Sequence, residues 1–344
     1  DLNGIAWSGN VFCAVGDAAP AAMTWTERAN ATNTTLQMIT NNGQLFVAVG
    51  AAAGGDAYII TSPDGAIWTE RGSAIASAMY SVAWSSELGL FCATGRKDFG
   101  NTNKYITISP DGATWTAVAG AIFAGDSIMY GVAWNGSIFC AVGSLTDLTS
   151  TIIMTSSNGT DWTMRVNTPT TALFSVAWSS ALGLFVAVGS TSNPAVDAYI
   201  LTSPDGITWT ERANPKNFAL NGITYGNSLF VAVGGADGTD AYLLTSADGI
   251  TWTERSNPKN FNLKSVIWTG KQFLACGNAD GADAYIVTSL DGITWTEVAN
   301  PKNFALNGAT WDGTRYVLVG AADGTDAYIV TSTDDPDAYI ITSF

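Results

Sequence analysis

One unit of four short apolar segments recurs along the whole chain, and a chain made of copies can fold only into something that stacks them. The unit is plainest at Asn221-Gly222-Ile223-Thr224-Tyr225, Leu229-Phe230-Val231-Ala232-Val233-Gly234, Asp240-Ala241-Tyr242-Leu243-Leu244-Thr245-Ser246 and Asp248-Gly249-Ile250-Thr251-Trp252-Thr253-Glu254-Arg255. Gly, Asn and Asp punctuate these segments, so each predicts a strand and each unit a four-stranded sheet. The Gly that closes the second strand recurs as Gly16, Gly50, Gly95, Gly143, Gly189, Gly234, Gly277 and Gly320, at spacings of 34, 45, 48, 46, 45, 43 and 43 residues. A sheet this small cannot bury its own faces and needs its neighbours to do so, which predicts an all-β chain folded as a β-propeller of four-stranded blades. Eight glycines imply eight blades, with seven as the alternative. Residues 1–344 then form one domain, with blades near 1–30, 31–73, 74–120, 121–167, 168–213, 214–256, 257–299 and 300–344.

The strands differ in ways that fit a propeller. The second, as in Leu45-Phe46-Val47-Ala48-Val49, is apolar at successive positions, as expected of a strand covered on both faces. In the fourth, Glu and Arg follow the Trp in Trp25 to Arg28, Trp68 to Arg71, Trp209 to Arg212 and Trp252 to Arg255; charge on an outermost strand discourages edge-to-edge pairing. All 13 Trp fall at two places in the repeat, six ending a first strand and seven beginning a fourth, which predicts packing between blades. Cys13, Cys92, Cys140 and Cys276 stand where other units have Val, so reduced, buried thiols are expected.

Both ends depart from the pattern. Only eight residues separate Gly16 from Trp25 where seventeen separate Gly50 from Trp68, so the first unit lacks a full third strand. The last unit lacks a Trp strand, and Asp337-Ala338-Tyr339-Ile340-Ile341-Thr342-Ser343-Phe344 repeats third-strand sequence instead. That extra strand could form the rim of blade eight, complete blade one, or join blade one of a neighbouring molecule and so build a homo-oligomer.

The sharpest motif is Ser-x-Asp-Gly-x-x-Trp, carried by Asp64, Asp111, Asp205, Asp248 and Asp291, with Asn158 in a variant copy. Its Asp or Asn can accept backbone N–H groups across a tight turn, its Gly supplies positive φ, and its Trp covers the hairpin between strands three and four. On these residues the chain resembles the Asp-box, or bacterial neuraminidase repeat, propellers over nearly its whole length. The phrase Thr-Ser-Pro-Asp-Gly-Ile-Thr-Trp-Thr at 202–210, coupled to Leu-Phe-Val-Ala-Val-Gly, is similar to repeat proteins of phage tails and virions and of bacterial cell surfaces. The resemblance implies that the Asp-box residues are structural, on hairpins away from the ligand face, and that the protein works outside the cell or on a virion.

Histidine is absent, which removes the commonest general base and metal ligand. A net charge of −15 opposes nucleic acid and anionic lipid, and no apolar run is long enough for a membrane-spanning helix, so neither nucleic-acid binding nor membrane insertion is expected. The chain begins at Asp1 without Met or a signal segment, as a processed or excised chain would. Sialidases on this fold are recognised by three convergent Arg and a Tyr-Glu nucleophile pair. Here Arg28, Arg71, Arg165, Arg212 and Arg255 share one rim position, and only Arg96 and Arg315 lie elsewhere. Five of the six Glu are rim residues as well, leaving Glu87. Any carboxyl pair that a glycosidase would need is itself a repeat element, so no catalytic residue is assigned.

In a four-stranded meander the loop between strands two and three shares a face with the connection to the next blade. That brings Asp237 and Asp240, Asp280 and Asp283, and Asp323 and Asp326 near Lys216 and Asn217, Lys259 and Asn260, and Lys302 and Asn303. Such residues could hydrogen-bond sugar hydroxyls, and the Asp pairs could hold calcium, although acidic turns of this kind also serve simply as turns. Asn30-Ala31-Thr32 and three similar triplets match the glycosylation pattern, as chance allows in Asn- and Thr-rich turns. The expected function is a non-enzymatic, extracellular or virion-displayed adhesion module that binds a cell-surface glycan or receptor through the loop face, with no cofactor beyond possible calcium. The alternatives are a structural tail or appendage component held by neighbouring subunits and, third, a glycosidase.

Overall fold

The computed structural model describes residues 2–7, 12–16, 23–30, 32–53, 56–73, 75–97, 105–118, 127–145, 150–165, 171–191 and 199–333. The chain is an all-β propeller of four-stranded antiparallel blades with no helix among the described residues, and it has seven blades, not the eight counted from the glycines. Six blades are continuous, at 36–71, 79–117, 127–164, 171–212, 220–254 and 263–297, with their strands in sequence order. The seventh is assembled from both ends. Its first three strands lie within 306–332, and its rim is Thr26–Glu27, with Thr26 opposite Thr331 and Glu27 opposite Val330.

The two irregular ends are thus halves of one blade: the Trp strand of the first unit serves the last unit, which has none. No four-stranded blade forms at 1–30 among the described residues; Leu2–Trp7 and Phe12–Gly16 pair with each other as a separate two-stranded sheet. The extra strand sequence at 337–344 lies outside the described residues. Innermost strands of neighbouring blades touch all round the axis, and Leu306–Trp311 against Leu36–Asn41 closes the circle.

Burial explains the strand chemistry. In the second strands, Phe46, Val47, Ala48 and Val49 are buried, and both faces meet apolar neighbours. Val186 and Val188 of one blade pack with Phe230, Tyr242 and Trp252 of the next. A Trp ending a first strand lies beside the Phe opposite it, 4.5 Å between Trp268 and Phe273, while the fourth-strand Trp295 reaches the same ring at 6.3 Å. Cys92, Cys140 and Cys276 are buried free thiols, and burial pushes Cys276 up to about 12. The side chain of Cys13 is outside the description. The rim Arg have a use that the sequence did not disclose: Arg71, Arg165, Arg212 and Arg255 each donate Nε–H to the third-strand Thr hydroxyl at 2.8–2.9 Å, and Arg28 does the same to Thr331 across the ring closure.

The repeating Gly has a steric cause. A Cβ on Gly234 would lie 1.9 Å from the carbonyl oxygen of Ala219, and one on Gly50 would lie 2.2 Å from that of Thr35. The first strand comes this close because it bulges there: Leu220 pairs with Gly234 and Gly222 with Val233, which leaves Asn221 outside the ladder. The same bulge recurs in all seven blades.

In the hairpins between strands three and four, Asp248 Oδ1 accepts N–H groups from Ile250 and Thr251 at 2.8 Å, Gly249 has φ of 72°, and Trp252 Nε1–H donates to the Gly249 carbonyl. Asp64, Asp111, Asn158, Asp205 and Asp291 make the same pair of backbone bonds. The N–H groups of Thr251 and Ile250 hold the Asp248 carboxyl at about 2, below its ordinary value. A depressed carboxyl contributes stability that is complete above about pH 4 and is lost as pH falls toward 2. Asp248→Asn, a change already tolerated at Asn158, will therefore reduce stability slightly at neutral pH and flatten the acid limb of a urea-midpoint titration. An acid limb identical to the parent's would show that the hairpin carboxylate contributes nothing.

Candidate functional site

Each first strand runs away from the face that carries the connections between blades, so the loops after second strands lie on that same loop face. There the structure brings the expected residues together in three copies. Lys216 Nζ donates to Asp237 Oδ2 at 2.7 Å and to Glu254. Lys259 bonds Asp280 at 2.5 Å and Glu297, and Lys302 bonds Asp323 at 2.8 Å and Glu27. The third copy is completed by the rim strand from the N-terminus, and a crevice of about 340 Å³ opens beside it.

The Asp side chains in these clusters are only 2–3% exposed. Their other oxygen closes the loop: Asp237 Oδ1 accepts from Thr239 N–H at 2.8 Å and Asp240 N–H at 3.1 Å. Lys259 holds Asp280 at about 2, and Lys302 does the same to Asp323. The second Asp of each pair faces the following blade. Asp240 Oδ2 accepts from Asn257 N–H, Asp283 from Asn300 N–H and Asp326 from Asn30 N–H, at 3.0, 2.8 and 2.9 Å. Asn260 and Asn303 accept the Gly238 and Gly281 N–H groups, and Asn217 is also engaged. These residues act as latches between successive blades. Asn30, read above as a glycosylation match, is the latch residue of the ring closure, its amide donating to the Ala327 carbonyl at 2.7 Å.

The bulges place a second set of residues at the loop-face end of a central channel of about 380 Å³. Tyr130, Phe174, Asn221 and Lys264, each the bulged residue of its blade, line it. The mouth has two unlike arcs. Tyr80, Tyr130 and Phe174 meet edge to face at 5.4 and 5.3 Å. Opposite in sequence order, Lys264 Nζ donates to Asn307 Oδ1 at 2.8 Å, while Asn307 and Asn221 donate to the carbonyls of Leu36 and Leu263 in the next blades. Sequence reasoning missed this set. Its signal was the residue after the buried apolar that opens each first strand, which reads Asn221, Lys264 and Asn307 in three otherwise similar units.

The DUF6242 beta propeller domain family matches residues 203–342, which covers two whole blades, the three C-terminal strands of the seventh and the hairpin before them. No curated protein matches the chain.

Proposed function

We propose that this propeller is a non-enzymatic recognition module, displayed outside the cell or on a virion, that binds a surface glycan or receptor through its loop face. The observation that carries this reading is the channel mouth, where aromatic rings, hydroxyls and amides line one rigidly framed cavity of about 380 Å³. That mixture suits a ligand with an apolar ring face and a polar edge. The Ser-x-Asp-Gly-x-x-Trp hairpins, read as Asp boxes, stand on the opposite face and support a relation to Asp-box propellers.

Catalysis is disfavoured because the carboxylates of the three loop-face clusters already have partners. Asp237, Asp280 and Asp323 each serve a Lys and two backbone N–H groups, and the paired Asp of each cluster serves the next connection. The same geometry argues against calcium. Asp237, Asp240 and Glu254 could converge on one cation, as could the equivalent triads, but the Lys ammonium already satisfies two of the three. A chelator and added calcium should both leave the melting temperature of the protein unchanged. A calcium-dependent rise would put the metal back in the latches.

Binding of the purified chain to a broad panel of bacterial and host glycans, and to intact cells, tests the main reading. Saturable binding is expected. Its complete absence would favour the structural alternative, for which the exposed hairpin side chains Ile67 and Leu290, 71% and 64% accessible, offer a protein-contact face.

A further inference from the structure

Lys264 is the only charged side chain among the described residues lining the channel, in a chain that carries 29 acidic groups. Lys216, Lys259 and Lys302 are each held by two carboxylates. Lys264 has none among the described residues: its hydrogen-bond partner is the neutral amide oxygen of Asn307. Burial lowers its pKa, which records the cost of keeping that ammonium out of water. An ammonium has three donors, and a half-buried cation without a counter-charge is costly, so two N–H groups are left for a partner that the described residues do not supply.

The remaining lining narrows that partner. One cation matches one carboxylate, whereas a polyphosphate would call for several. Thr224, Ser265 and Thr310 add hydroxyls for a polyhydroxylated ligand, and Tyr130 and Phe174 add faces for the apolar side of a sugar ring. The three last blades share the connection Asn-Pro-Lys-Asn-Phe unchanged, yet a few residues later the bulged position reads Asn, Lys and Asn. The single charge is therefore a feature of the channel and not of the repeat.

We infer that the channel mouth binds an acidic saccharide, its carboxylate on Lys264 and its ring against Tyr130 and Phe174. This rests on the glycan-binding reading above and narrows it to uronic-acid-type sugars and this site.

Calorimetry of the full chain with short oligomers of galacturonate, glucuronate and mannuronate, beside neutral oligomers of the same length, tests it. At least one uronide should bind saturably, about tenfold or more tighter than to Lys264→Met, with Lys264→Arg restoring affinity. Tyr130→Leu should weaken binding, and Lys259→Met, in a latch, should leave it unchanged. Lys264→Gln gives the same comparison where the Met variant does not fold. No uronide binding by the parent, or equal binding by Lys264→Met, overturns the inference. Neutral glycans binding in that case would leave the broader recognition reading standing, and no binding to any glycan or to intact cells would remove both.

Discussion

A chain shortened to begin at Leu36 will melt about 4–7 °C below the full chain and will self-associate, whereas one beginning at Met23 will keep the full midpoint. The shorter chain loses Thr26–Glu27, which leaves Ala327–Ser332 as an open edge, its backbone groups available to another molecule. It also loses Trp25, buried in a cluster with Leu306, Tyr316, Leu318, Tyr328 and Val330. Deleting a buried Trp alone costs about 3–5 kcal/mol, and with an unfolding entropy of about 2.1 cal/mol/K per residue each kcal/mol moves the midpoint of a chain of this size by about 1.4 °C. Latch bonds from Arg28 and Asn30 go with it. Equal midpoints for the two chains, read by circular dichroism with size-exclusion chromatography beside it, would mean that the seventh blade stands without its N-terminal rim. Trp25 also differs from its counterparts in having a buried Nε1–H without a partner among the described residues, since no Asp-Gly sequence precedes it. Trp25→Phe should accordingly destabilise less than Trp252→Phe, whose indole bonds Gly249.

Gly234→Ala will cost about 3 kcal/mol in urea unfolding, at the upper end of ordinary overpacking, because the obstacle is backbone. A new methyl 1.9 Å from the Ala219 oxygen can be accommodated only by moving the first strand and its bulge. Gly238→Ala makes the comparison. Nothing lies within 4 Å of a Cβ there, but φ is +100°, so the penalty is conformational and about 1–2 kcal/mol. Should the two variants lose the same stability, close approach is not what fixes the repeating Gly. Because the bulge presents Asn221 to the channel, Gly234→Ala should also disturb binding at the mouth, and Gly238→Ala should not.

The blade architecture was legible because the physical demands recur with it. A second strand buried on both faces must be apolar throughout, and a first strand that bulges against it must meet Gly; Val47-Ala48-Val49-Gly50 states both conditions in four letters. The number of blades was not legible, because counting glycines counts second strands and says nothing of which sheet a distant rim strand joins. Thr26 and Glu27 look like the end of a first blade until Val330 and Thr331 are seen beside them. At the loop face, composition named Lys216, Asp237 and their copies but could not tell an available charge from a clamped one. Tyr130 and Lys264 escaped notice for a different reason: a bulge breaks the period-two alternation by which strand faces are assigned.

The ring closure also sets an order on the birth of the molecule. Thr26 and Glu27 leave the ribosome some three hundred residues before their partners Thr331 and Val330, and a strand that has no sheet must wait through the synthesis of six blades. During that interval the nascent chain is an open arc, and its last step is a strand pairing of very large sequence separation, the kind that forms slowly. Translation rate, and whatever shields that early strand, should govern the yield of closed rings more than the stability of any single blade.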